Sequence, residues 1–271
     1  MRRTLGTVPA FQAAKEAFGK RKHEESAVTP HTKRQSRVTT SFQHVDHDEA
    51  VLKGRMDLMV KEMSRRSPNL KKLSESMKQT RSSRSTWMKD TKTTSAQILE
   101  KYPALANAEM LHEEFTALTG IEIEKKLLPF INNYGHKCID LLKCRPSTKK
   151  CAKKLEAELN GREENGRKYR FAVGVIELLP LLVKEKPKFL SGPDIYPTLH
   201  FDATSILEAE YVTVSFEAFS MDVVDVIAGM SAIMELYWML DVKCADSNKN
   251  TLALLEHFSD LPNDGELVTN G

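Results

Sequence analysis

Two short basic clusters carry the most specific chemistry legible in this chain: Lys20-Arg21-Lys22 and, ten residues later, Lys33-Arg34-Gln35-Ser36-Arg37. Import receptors bind lysine and arginine side chains from an extended segment in acidic, tryptophan-lined grooves. Lys20, Arg21, Lys22, Lys33, Arg34 and Arg37 are therefore candidate contacts of a two-part nuclear import signal. A phosphate on Ser36 would weaken the second cluster through charge. The plainer reading is a solvated basic tail. A second group, Lys149, Lys150, Lys153 and Lys154, continues into Arg162, Arg167, Lys168 and Arg170 and is a candidate phosphate contact. Tyr169 and Phe171 stand among these cations, as aromatic residues do in single-strand binders, although a charged helix face is usually only solvated.

Metal and acid–base chemistry are less well supported. His136, Cys138, Cys144 and Cys151 lie within sixteen residues, yet they lack the paired C-x2-C spacing of a zinc site, and Cys138 with Ile139 fits an apolar helix stripe. Free thiols are the expectation. The carboxylate pairs Glu113-Glu114, Glu122/Glu124 and Glu163-Glu164 have no His or Lys at a telling spacing and read as solvated. There is no serine in a glycine-rich elbow, and Gly174 and Gly192 belong to no phosphate loop. The expectation is a non-enzymatic chain with no catalytic residue, cofactor or metal.

The charge of the chain is sorted along its length. Residues 1–92 hold 21 Lys/Arg against 10 Asp/Glu, whereas residues 191–271 hold only Lys243 and Lys249 against 14 acids. Basic segments favour nucleic acid, acidic partners or import receptors, and acidic surfaces repel all three, so the two ends have different jobs. Four irregularly spaced cysteines make no disulfide framework, which suggests a reducing compartment. No apolar stretch has the length of a signal peptide or a membrane span, so the expected location is nucleus or cytoplasm, not secreted and with no membrane.

The elements that must position these groups follow from periodicity. Residues 1–47 are polar and basic without a sustained period and read as a disordered arm, in which Pro9 to Phe18 is a short candidate helix. Residues 48–92 form an amphipathic helical segment: Leu52, Met56, Met59 and Met63 share a seam that resumes at Leu70, Leu73 and Met77 after Ser67-Pro68-Asn69. This seam is more often packed on its own domain than on a second chain. Residues 93–261 read as a mainly helical domain. Its predicted helices cover Ser95–Lys101, Ala106–Leu118 with Gly120 as a left-handed cap, Ile121–Cys144 kinked at Pro129, Thr148–Leu159, and Asn165–Leu179 interrupted at Pro180. A small β-hairpin or sheet element is expected near 198–216, where Val212, Val214 and Phe216 alternate with Tyr211, Thr213 and Ser215. A very apolar helix should start at Ser220 or Met221, a short one should cover Leu252–Phe258, and 262–271 reads as a disordered tail.

Several packing and boundary residues resemble a multicopy, largely uncharacterised group of fish proteins that are sterile alpha motif domain-containing protein 3-like. They are Glu62-Met63-Ser64-Arg65-Arg66-Ser67-Pro68-Asn69, Ser85-Thr86-Trp87, Glu100-Lys101-Tyr102-Pro103-Ala104-Leu105, Glu113-Glu114-Phe115-Thr116-Ala117-Leu118-Thr119, the Leu178–Glu185 run, and Tyr237-Trp238 followed by Asp241-Val242. The resemblance runs from about Met56 to Leu261 without a legible sterile alpha motif module. It implies architecture and supplies no catalytic residue. The resulting fold expectation is a mainly α, multi-helix globular domain with a small β element and a disordered basic N-terminal arm. The functional expectation is an interaction module that binds a protein partner or itself. The alternative is a nucleic-acid-associated factor using the arm and residues 149–170.

Overall fold

The computed structural model describes residues 48–88, 93–160, 166–186 and 195–261. The readings placed on 1–47, including Lys20, Arg21, Lys22, Lys33, Arg34 and Arg37, lie outside these residues, as do Arg162, Glu163-Glu164 and the tail 262–271.

Helix α1 (Glu49–Met63) starts where the Asp48 carboxylate accepts the Ala50 N–H at 3.1 Å. It ends before Ser67-Pro68-Asn69, and Asn69 caps α2 (Leu70–Met88) by accepting the Lys72 N–H at 3.1 Å. Glu62, buried at the end of α1, accepts from Asn69 N at 3.2 Å and from Arg65 Nη1 at 3.0 Å. One carboxylate thus fixes the angle between the two helices. Met59, Leu73 and Met77 are buried, and Met56, Met63 and Leu70 pack against the same core. From Met56 to Met77 the heptad-like seam is covered within the chain.

Helix α3 (Ser95–Lys101) opens on a Thr94/Gln97 capping box and leads through a 3₁₀ turn, Pro103–Ala106, into α4 (Ala108–Thr119). Gly120, at φ 71°, closes α4 as expected of a left-handed cap. Helix α5 (Ile123–Lys143) is continuous through Pro129, whose ring is exposed. Helix α6 (Lys149–Asn160) buries Ala152, Leu155 and Leu159. It lies so close to α7 (Arg167–Leu182) that a Cβ on Gly174 would fall 2.3 Å from Leu155 Cδ1. Helix α7 passes through Pro180 and ends at Leu182, three residues later than the sequence suggests. Pro180 sits in the last turn, and Arg145 Nη1 donates to the Leu181 and Leu182 carbonyls at 3.2 and 3.0 Å, satisfying acceptors the helix itself leaves open.

The β element is larger than expected. Strands β1 (Thr198–Phe201), β2 (Val212–Phe216) and β3 (Phe219–Val223) form an antiparallel sheet in the order β1-β2-β3, with Val214 opposite both Leu199 and Met221. The expected helix start at Ser220 or Met221 is therefore corrected. Phe219, Met221 and Val223 alternate with Ser220 and Asp222, and the turn from β2 is made by Glu217 at φ 53° without the glycine or asparagine that usually marks one. Helix α8 (Val226–Met239) begins only where Asp225 accepts the N–H groups of Ile227 and Ala228, both at 2.8 Å. Nearly every side of α8 is buried, as its composition requires. One sheet face covers it, with Gly229 allowing Leu199 to approach. The other face carries His200, Thr213, Ser215, Ser220 and Asp222, all exposed or half-exposed.

Helix α9 (Lys249–Phe258) is started by a residue far away in sequence. The Glu185 carboxylate accepts from Asn250 N, Thr251 N and Thr251 Oγ1 at 2.9, 2.9 and 2.7 Å. Lys184, at φ 64°, turns the chain so that Glu185 can reach. Glu185→Ala is expected to lower stability by about 1–2 kcal/mol, the usual scale of a lost N-terminal cap, with urea denaturation as the measurement.

Candidate functional site

The structure separates the cationic candidates from their aromatic neighbours. Lys149, Lys150, Lys153 and Lys154 are all exposed on the outer face of α6, and among the described residues only Lys154 of the four pairs with a carboxylate, Glu158 at 3.5 Å. Tyr169 and Phe171 do not join them as a stacking platform. The Tyr169 hydroxyl accepts the Val226 N–H at 3.2 Å, and Phe171 stacks on His136 with ring centroids 4.3 Å apart. Arg167 donates to Asn160 Oδ1 at 3.1 Å. The sulfur set is likewise dispersed: Cys138 is buried, its thiol pushed up to about 12 by that burial, while Cys144 and Cys151 are exposed. Among the described residues no three His, Cys, Asp or Glu side chains gather to hold a metal ion.

The solvated reading of Glu113-Glu114 is overturned. Glu114 is buried and accepts from Arg84 Nη2 at 2.5 Å and Arg81 Nε at 3.0 Å. Arg84 is itself buried, with Nη1 on Thr80 Oγ1 at 2.6 Å, Nη2 on the Met77 carbonyl at 3.1 Å, and its guanidinium 5.3 Å from the Tyr102 ring centroid. Next door, Glu113 meets Lys78 at 3.0 Å and Ser74 at 2.9 Å. Burial pushes its pKa up, but these two partners outweigh burial and hold it below the ordinary value. The partners come from α2, three or four residues apart along one helix face, and the acids from α4. The pairing between the two helices shows in neither helix alone.

Sequence reasoning also missed His112, whose Nδ1 lies 2.8 Å from Glu235 Oε1. The bond to Glu235 raises His112 despite its partial burial, with Glu235, Glu122 and Glu124 adding to the effect through charge. Burial raises Glu235 more than His112 can lower it. Both shifts act in the same direction, because the folded pair holds protons that the unfolded chain releases. Stability from His112 is complete below pH 6.5, its ordinary value, and is lost as the pH rises through the raised one. His112→Gln is expected to flatten the stability profile above pH 6.5, the ordinary value of the imidazole, measured by denaturant unfolding. An unchanged slope would contradict this assignment.

Two surface features remain. Trp87, Thr93, Gln97, Glu100 and Lys101 line a shallow depression of about 540 Å³, and the Lys101 ammonium lies 4.1 Å from the Trp87 ring centroid. The chain's own cation covers that aromatic face. The second lies at the end of the sheet. Tyr211 and Val224 are the residues immediately beyond the Val212↔Val223 pair, and they are 73% and 88% exposed, the two most exposed large apolar side chains among the described residues. Asp202 folds over this end, its Oδ1 accepting from Glu210 N at 3.1 Å and Tyr211 N at 3.2 Å. Alternation along β2 already set Tyr211, with Thr213 and Ser215, apart from Val212, Val214 and Phe216. Val224 was hidden inside the misplaced helix start.

Comparison with known proteins adds one finding. Residues 51–107 match the family model described as "Sterile alpha motif domain-containing protein 3, helical domain". This stretch is similar to that helical domain. The matched helical-domain stretch spans α1 to the 3₁₀ turn and includes the Glu62–Asn69 junction, Arg84, Trp87 and Lys101-Tyr102. It stops short of α4, so Glu113, Glu114 and Phe115 lie outside it. No curated protein matches the chain, and no solved structure does. Among the described residues no helix is long and apolar enough to cross a membrane.

Proposed function

We propose that this chain is a non-enzymatic interaction module of the nucleus or cytoplasm, and that it engages a protein partner through the sheet end formed by Tyr211 and Val224. The observation that carries this reading is the exposure of these two side chains where the other large apolar residues, among the described ones, are mostly buried. A valine 88% exposed between a strand and a helix cap gains nothing from folding, whereas burial against a partner would stabilise the complex. The matched helical-domain stretch serves as scaffold in this reading, since its Glu62, Lys78, Arg81 and Arg84 are engaged in holding α1, α2 and α4 together.

The second reading, contact with nucleic acid, is favoured by one feature: the exposed strip Lys149, Lys150, Lys153 and Lys154. One set of measurements separates the two. Captured proteins are compared between the full chain, Tyr211→Ser/Val224→Ser, and a variant with the four lysines changed to glutamate, each with and without nuclease. Loss of a defined protein with the first variant only, unaffected by nuclease, supports the protein-binding reading. Loss with the lysine variant only, abolished by nuclease and by salt, supports the nucleic-acid reading and overturns the first.

A further inference from the structure

The chemistry around Tyr211 and Val224 also specifies what covers them. We infer that the sheet end binds a basic peptide segment of another protein, in which lysine or arginine residues flank an apolar side chain. This rests on the surface proposed above and adds the partner's class. Tyr211 and Val224 supply an apolar centre. Around them stand Asp202, held against Glu210 N and Tyr211 N, the exposed side chain of Glu210, and Asp222, whose Cα partner is Thr213 in the neighbouring strand. The two backbone N–H groups hold the Asp202 carboxylate below its ordinary pKa, so it stays ionised through the neutral range.

The opposing charges nearby are few. The start of α7 approaches this region through the Tyr169 hydroxyl, but Arg167 is engaged with Asn160, and Arg170 Nη1 lies beside Gly166. Arg167 and Lys168 are the exposed cations there. Asp225 faces inward as the cap of α8. An anionic partner would meet three carboxylates around the contact, and a phosphate backbone would be repelled. A cationic segment is attracted over a Debye length and then held by its apolar residue. The wider chain reinforces the choice, with 14 acids against two lysines in residues 191–271.

The test uses the full chain and a short fluorescein-labelled peptide in which lysines flank a central leucine, with binding followed by anisotropy. Controls replace the lysines by glutamate, or the leucine by serine. The expected result is binding of the lysine–leucine peptide alone. It should weaken about tenfold in Tyr211→Ser/Val224→Ser, as loss of an interface anchor does, and by a similar factor in Glu210→Lys/Asp222→Lys. Salt raised from about 0.05 to about 0.3 M should weaken it several-fold. Matched melting curves establish that both variants fold.

Binding of the glutamate peptide with the same dependence on Tyr211 and Val224 would overturn the partner class and leave the surface standing. Lysine–leucine binding unchanged in both variants would overturn the surface as well. Tightening by about tenfold when Lys20, Arg21 and Lys22 are changed to glutamate would mean that the chain's own basic segment occupies the site, which also overturns the inference. The same holds for a concentration-dependent rise in mass that Tyr211→Ser/Val224→Ser abolishes, since a second copy would then be the occupant.

Discussion

Glu114→Ala is expected to lower the unfolding free energy by about 3–5 kcal/mol, close to half the stability of an ordinary domain. The loss comes less from the missing attraction than from what is left behind. Arg84 is 1% exposed and its charge is compensated chiefly by Glu114, so truncating the acid strands a guanidinium in the core with only Thr80, the Met77 carbonyl and the Tyr102 ring around it. Replacing both partners by apolar residues of similar volume, Arg84→Met with Glu114→Leu, should recover most of the loss, because neither charge then has to be desolvated. The check is a double-mutant cycle in urea with matched m-values. Equal stability of Glu114→Ala and the natural chain would mean that the pair is hydrated in solution, contrary to the buried geometry.

Trp238→Ala is expected to have an effect of similar size, about 3–5 kcal/mol, through a cavity. Trp238 is 4% exposed and meets Phe115 edge-on, with ring centroids 5.4 Å apart and planes at 82°. This contact sits one turn from the His112–Glu235 bond on both helices, so α4 and α8 are joined by a polar clasp beside an aromatic one. Phe115→Leu keeps most of the buried area and should cost less. A cycle over Phe115 and Trp238 should report a coupling of about 0.5–1.5 kcal/mol for the edge-on geometry beyond simple burial. Calorimetric melting of the single and double variants measures both quantities.

These two contacts explain why much of the fold was legible in the sequence while the site was not. Helix positions followed from apolar spacing and from caps, and Ser67-Pro68-Asn69, Tyr102-Pro103 and Gly120 all mark boundaries where the sequence predicts them. The failures share a cause. Helix α7 runs past Pro180 because Arg145, from another part of the chain, satisfies the open carbonyls, and α9 starts at a cap supplied by Glu185. The helix assigned to Ser220 became a strand because β2 offered it a ladder and Asp225 offered a better cap. Tertiary partners decided each case, and local propensity cannot anticipate them.

The same holds for the charged residues. Glu113-Glu114 looked solvated because Lys78, Arg81 and Arg84 lie about thirty residues away, and they meet only when α2 packs on α4. The resemblance carried by Glu113–Thr119, Tyr237-Trp238 and Leu178–Glu185 acquires a physical content here. Their residues form the ionic junction, the Phe115–Trp238 contact and the Glu185 cap, all of which serve packing. The acidic end of the charge sorting likewise resolves into a particular place, with Asp202, Glu210 and Asp222 around an apolar sheet end.

The most direct test of the account is photo-crosslinking from that sheet end in cells. A benzophenone amino acid replaces Tyr211 in the full chain, with the exposed Thr86 position as control, and adducts are resolved by mass after irradiation. The account predicts a discrete protein adduct from position 211 that is absent from position 86 and is insensitive to nuclease. No adduct at 211, or the same adducts from both positions, would contradict it.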